Sequence, residues 1–278
     1  MTGYDWDALE TITQRLFGYD DGSLSSEQKT ALQAQFTHKN NKISNEFSGC
    51  IACFTDARLL LFPIKSMKGV FAWITCPKVM QQFKTDLELA GITDLPDIPK
   101  DYNLVPDETD LLLIKDDRRY VVLEEYAFAM QADPEQKMGK LCQWLANQIF
   151  TDQEDFNHGK LGKDVVMLSN DDFKDFVSLS TEVITRTKIN NNTGTVEPGA
   201  LFTEEFLPTE SIMYTLVLTA QEFIEHKPPM PEEEVYQFFT EHLPEVIQIG
   251  GNATLGKGII RRQLMSAPAN QQTGDNHG

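Results

Sequence analysis

Residues 247–262 read IQIGGNATLGKGIIRR. A short apolar strand runs into four glycines within nine positions and leaves through a β-branched pair and two arginines. Glycine permits φ > 0 and lets another backbone approach closely. Successive N–H groups in such a turn form a concavity for anions, so the loop with its basic exit strand reads as a grip on phosphate. Gly251 to Gly258 spells G-x-x-x-x-G-K-G, one residue from a Walker A loop. That loop needs Ser or Thr after the lysine and then a helix. Gly258 stands at the Ser/Thr position, and Ile259-Ile260 favours a strand. A nucleotide triphosphatase is therefore set aside. A phosphate grip and a glycine hairpin without a ligand both remain open.

The chain has 278 residues, with ordinary hydrophobic (41%) and charged (24%) content for a globular protein. No apolar run nears the roughly 20 residues that span a bilayer. The acidic start MTGYDWDALE has no basic n-region or apolar h-region, so a cytoplasmic location and no membrane partner are expected. A net charge of −18 opposes nucleic-acid binding by the surface as a whole. An RNA-binding chain of this composition must gather its lysines and arginines on one face. Cys50 and Cys53 form a lone C-x-x-C with no second ligand pair, so thiols packed in strand cores are expected and no metal site.

Helical spacing predicts a helix over Asp5–Gly18, a second from the Ser25/Gln28 capping box, and others over Pro77–Gly91, Pro134–Phe150, a segment capped by Asn170, and Pro231–Leu243. Strands are expected at 57–63, 70–75, 111–114, 120–127, 164–168, 183–189, 212–219, 246–249 and 258–264. Strands and helices are intermixed without βαβ regularity, which indicates an α+β fold with an antiparallel sheet. The tail 266–278 reads as disordered.

VITRTKI (183–189) alternates, placing Ile184, Arg186 and Lys188 on one face. The turn-rich NNNTGTVEPG follows and predicts a projecting loop or hairpin arm. Glu204 and Glu205 lie at its base. Adjacent strand residues diverge, so only one of them faces any given site.

GTVEPGALFTEEFLP, FTDARLLLFPIKSMKGVFAWITCP, FKTDLELAG and IQIGGNATLGKG together resemble the backbone subunit of type III-B CRISPR effectors, the Cmr complex, within the RAMP superfamily. The resemblance implies one RAMP domain over 1–265 with an RRM-like (ferredoxin-like) core, an antiparallel sheet, helical insertions, a β-hairpin thumb at 190–208 and a glycine-rich loop at 249–258. It implies CRISPR guide RNA, target RNA, other copies of the chain in a filament and other Cmr subunits as partners. It implies target-RNA cleavage with a divalent metal, Mg or Mn, in complete family members. Carried over by residue, it implies RNA contacts from Lys65, Lys68, Arg186, Lys188, Thr195, Gly250, Gly251, Gly256, Lys257 and Gly258, and a role in cleavage for Glu204. These five basic residues are expected to line one connected surface.

Phe206 stands where the family has a tyrosine. Family members also begin with a segment that has no counterpart here: the first core strand, a guide-gripping loop, a histidine and the loop with the cleavage aspartate. Two expectations follow from that difference. The chain as given does not cleave RNA, and the strand at 258–264, lacking its central neighbour, has an open edge with exposed apolar side chains.

Overall fold

The computed structural model describes residues 52–220 and 231–265. The two helices expected near the N-terminus, Cys50 and the tail expected to be disordered at 266–278 lie outside the described residues. The described residues fall into two compact units, one of residues 57–214 with 263–265, the other of residues 52–56 with 215–220 and 231–262.

The larger unit is built on β2 (Arg58–Lys65) and β3 (Phe71–Thr75). They form an antiparallel hairpin, flanked by β10 (Ile212–Tyr214) antiparallel to β2 and β7 (Val165–Met167) parallel to β3. The expected antiparallel sheet thus contains one parallel pair. RLLLFPIK is almost continuously apolar because both faces of the sheet are covered. Leu61, Trp73, Val165 and Met167 pack on one face with Met80, Phe83 and Leu87 of α1 (Pro77–Leu89) and Met138, Leu141 and Leu145 of α2 (Lys137–Ile149). Phe62, Ile64, Ala72, Ile74 and Val166 pack on the other with Val121, Leu123, Phe173 and Phe176. The last two belong to α4 (Asn170–Leu179), which follows α3 (Phe156–Leu161) and β7. The N-cap of α4 is Ser169, not Asn170: the Ser169 hydroxyl accepts from the Asp172 N–H. Helix α3 was not expected from the sequence.

Val121 and Leu123 come from a three-stranded meander of β4 (Leu113–Lys115), β5 (Arg118–Leu123) and β6 (Tyr126–Ala129). The sequence reading ran β5 and β6 together as 120–127. Glu124, at φ 50°, turns the chain between them. Beyond α4, β8 (Glu182–Ile189) and β9 (Val196–Phe206) form a two-stranded antiparallel ribbon.

In the smaller unit β1 (Ala52–Phe54) pairs with β11 (Val217–Thr219), and β12 (Val246–Gln248) pairs with β13 (Ile259–Arg261) after α5 (Glu232–His242). The expected single strand 212–219 is two strands in two sheets. The change falls at Thr215, whose hydroxyl donates to the Thr55 carbonyl, and at Leu216, whose N–H donates to the Thr55 hydroxyl. Cys76 and Cys142 are buried, but Cys53 is exposed, so the core-thiol expectation fails there. Among the described residues β13 pairs with β12 alone, and Ile259 and Ile260 are exposed. No described helix is long and apolar enough to cross a membrane.

Candidate nucleic-acid interface

Lys65 and Lys68 lie at the tip of the β2–β3 hairpin. The tip is closed by a three-residue turn: the Phe71 N–H donates to the Gly69 carbonyl at 2.8 Å. The residue between them, Val70, has φ 69° and follows Gly69 at φ 72°. A β-branched residue is a true outlier there, and the left-handed region costs an L-residue about 1–2 kcal/mol.

What holds this turn is a buried ion pair. Lys160 on α3 and Asp164 just before β7 are each 4% exposed, with Nζ and Oδ2 2.8 Å apart. Lys160 Nζ also donates to the Gly69 carbonyl at 2.8 Å and lies 4.6 Å from the centre of the Phe71 ring. Asp164 Oδ1 accepts from the Thr109 hydroxyl and the Asp110 N–H. A buried charge is tolerated only when paired and hydrogen-bonded: Asp164 accepts three hydrogen bonds, and Lys160 donates two and lies against the Phe71 ring. The meander braces the turn from its other side. Met67 N–H donates to the Val122 carbonyl, Glu124 N–H to that of Lys65, and Lys68 Nζ to that of Leu112. Lys68 is therefore engaged within the chain, while Lys65 is exposed between two hollows, one lined by Glu124 and Glu125, the other by Val70, Phe71 and Pro208–Glu210.

The ribbon carries the second group of candidates. Its tip is an Asn190-led turn in which Asn190 Oδ1 accepts from the N–H groups of Asn192 and Thr193. Thr195 and Val196 are exposed, as a projecting arm requires. Pairing already begins at Glu182, and it slips by three residues between Thr187↔Leu201 and Ile189↔Val196. Pro198, which lacks an N–H, and Gly199 at φ 77° occupy the extra stretch on β9.

Arg186, Glu204 and Phe206 share the half-buried face, opposite Glu205. Arg186 Nε lies 2.8 Å from Glu204 Oε2, and its guanidinium sits 5.8 Å from the Phe206 ring centre. Lys188 Nζ meets Glu197 Oε2 at 2.8 Å. The two cations expected to face a ligand thus have carboxylate partners on the neighbouring strand. Glu205 points away and accepts from the Thr181 hydroxyl.

The return strand from the arm is pinned to the core. Trp73 Nε1 donates to the Glu210 carbonyl at 2.8 Å. Asp86, on the buried side of α1, accepts from the Tyr214 hydroxyl at 2.7 Å, Arg58 at 2.5 Å and Gln82 at 3.0 Å. Burial pushes the Asp86 carboxyl pKa up, but the hydrogen bonds from Tyr214, Gln82 and Arg58 outweigh it and hold the group below the usual carboxylate range. Burial and the Asp86 hydrogen bond push the Tyr214 phenol up to about 12.

The glycine-rich loop lies in the smaller unit and joins β12 to β13. A strand, not a helix, follows Lys257, as the departure from Walker A requires. Gly250, Gly256 and Gly258 all have positive φ. A Cβ on Gly258 would fall 1.9 Å from the Ile249 carbonyl oxygen, so this position admits only glycine. The Gln248 amide donates to the carbonyls of Ile249, Gly250 and Lys257 and ties the two ends of the loop together. Of the exit arginines, Arg261 makes an exposed pair with Glu245, and Arg262 donates to the Leu243 and Pro244 carbonyls just past α5. Lys257 belongs to this unit, and Lys65, Lys68, Arg186 and Lys188 to the larger one.

Among the described residues, no three His, Cys, Asp or Glu side chains gather as a metal site. Glu204 is engaged in an ion pair with Arg186. Sequence reading missed Lys160, Asp164, Asp86 and Gln248. Their only signal was the i,i+4 spacing of Lys160 and Asp164, shared with many surface pairs.

The RAMP superfamily profile matches residues 54–261, across both units. The Cmr endoribonuclease Cmr4 of the CRISPR system of Pyrococcus furiosus is 32% identical over 221 residues, which cover 78% of this chain and 70% of that protein. The crystal structure of oligomeric Cmr4 from Pyrococcus furiosus superposes with a TM-score of 0.55 at 26% identity, covering 77% of this chain and 74% of the other. A chain in the cryo-EM structure of the type III-B Cmr-beta bound to cognate target RNA gives a TM-score of 0.59 at 14% identity, over 93% and 78% of the two chains, a likeness of fold alone. The chain belongs to the RAMP superfamily and, within it, to the Cmr4 family.

Proposed function

We infer that this chain is a guide-RNA-binding backbone subunit of a type III-B CRISPR effector of the Cmr kind. The observation that carries the reading is the pairing of Cmr4 family membership with a projecting ribbon whose return strand is pinned to the core beside an exposed lysine turn. Lys65, Lys68, Arg186, Lys188, Thr195 and the loop at Gly250, Gly251, Gly256, Lys257 and Gly258 are its RNA-contacting set. The partners are guide RNA, target RNA, further copies of the chain and other Cmr subunits, in a cytoplasmic setting. Contacts of this kind follow the RNA backbone and leave sequence choice to base pairing. The two units together form one RAMP domain, a reading supported by a family match that spans both. The parallel β3–β7 pair, with α1 packed under Trp73, supports an RRM-like core.

Glu204 is the acid to test for cleavage. Its engagement with Arg186 favours a second reading, in which this face is structural and the subunit acts by assembly alone. Co-expression with partner Cmr subunits and a CRISPR transcript, followed by affinity purification through this chain, tests the function. A discrete small RNA is expected to copurify, and assembly without RNA overturns the reading. Incubation of that complex with complementary RNA and Mg or Mn separates the two roles. Regular cleavage lost in Glu204→Gln supports a catalytic subunit; no cleavage, or cleavage unchanged by the substitution, supports the structural one.

A further inference from the structure

We propose that Lys160 and Asp164 are positioning residues for an RNA-seating groove between the Lys65–Val70 turn and the foot of the arm. The proposal rests on the guide-binding reading and extends it to residues outside the contacting set. The groove is lined by Lys65, Val70, Phe71, Pro208, Thr209 and Glu210. Both walls are fixed. One is the turn, held at the Gly69 carbonyl by Lys160 Nζ. The other is the arm's return segment, held at the Glu210 carbonyl by the buried Trp73 indole.

The turn is strained in a way its own contacts do not offset. Val70 occupies the left-handed region and is 82% exposed, and Met67 beside it is 72% exposed. Strained backbone that persists only because its surroundings over-determine it concentrates at ligand clamps. Here the surroundings are the buried pair and the meander, and their effect is to present an apolar side chain next to an exposed ammonium. A single-stranded polyanion with apolar sugar and base faces matches that combination. Glu124 and Glu125 line the other flank of Lys65, two carboxylates against the single Glu210 on the groove side, so the groove side is the less repulsive approach for a phosphate. Neither Lys160 nor Asp164 reaches the ligand; each acts through the turn.

A double-mutant cycle on the full chain tests this. Binding of a fluorescein-labelled polyuridine is titrated over a salt series, at a temperature where circular dichroism shows every variant folded. Lys65→Met is expected to weaken binding roughly tenfold and to reduce the salt slope by about one. Lys160→Met is expected to give a similar loss, and adding Lys65→Met to it is expected to cost nothing further. If Lys65→Met costs the same in both backgrounds, Lys160 is structural only and the inference falls, while the RNA-binding reading stands. If the parent chain does not bind RNA, both fall. Should Lys160→Met not fold, Gly69→Ala replaces it, because its Cβ, at a φ of 72°, meets Leu111 at 3.1 Å and shifts the turn while both charges of the buried pair stay in the chain. Coupling of Gly69→Ala to Lys65→Met supports the inference, and additivity overturns it.

Discussion

Two lysine–carboxylate pairs in this molecule have the same length and different work. Lys160–Asp164 and Lys188–Glu197 both close at 2.8 Å, but the first pair is 4% and 4% exposed and the second 70% and 33%. Distance therefore does not set their weight. In the core, the alternative to the pair is an uncompensated charge away from water. On the arm it is solvent, or a phosphate. The core pair keeps the hairpin tip in one strained shape, whereas the solvent-exposed arm pair can exchange partners. Arg58–Asp86 lies between them, at 49% and 7%.

That gradient predicts an order of effects. Lys160→Met leaves Asp164 buried without its partner and is expected to cost about 3–5 kcal/mol in a urea titration; a cost near that of an exposed pair would break the comparison. Asp86→Asn is expected to cost about 1–3 kcal/mol and also to change the acid limb of stability. The folded-state pKa of Asp86 is depressed, so its contribution is present above the ordinary carboxylate pKa and is lost as pH falls through the depressed value. Melting temperature measured from neutral pH into the acid range should fall less steeply in Asp86→Asn than in the parent, and parallel profiles would show that the clasp carries no linkage. Lys188→Ala is expected to change stability by less than about 1 kcal/mol while lowering the salt slope of RNA binding by about one. Loss of stability without loss of slope would put Lys188 with the core pair.

Much of the core was legible. ARLLLFP and VFAWIT read as strands, although β2 runs on through Ile64-Lys65, which read as turn, and Val70 belongs to the turn instead. What stayed hidden was where continuous patterns change role. Ile212–Thr219 reads as one strand, and two threonine side chains divide it between sheets. Glu124-Glu125 carries no turn signature, yet Glu124 turns the chain because the Lys65 carbonyl accepts its N–H. Lys160 and Asp164 read as a surface i,i+4 pair, since burial is a tertiary property. The arm was legible in NNNTGTVEPG, as was the divergence of Glu204 from Glu205. Its neutralised charged face was not, because that depends on a cross-strand register that slips by three residues at Pro198-Gly199.

The central claim is that the lysine turn, the arm and the glycine-rich loop meet RNA. Ultraviolet crosslinking of the assembled complex with its guide, followed by mass spectrometry of the crosslinked peptides, tests it most directly. The account predicts adducts within residues 65–71, 182–210 and 249–258. Adducts confined to the meander at 113–129 or to the helix at 137–149, with none in those three segments, would contradict it.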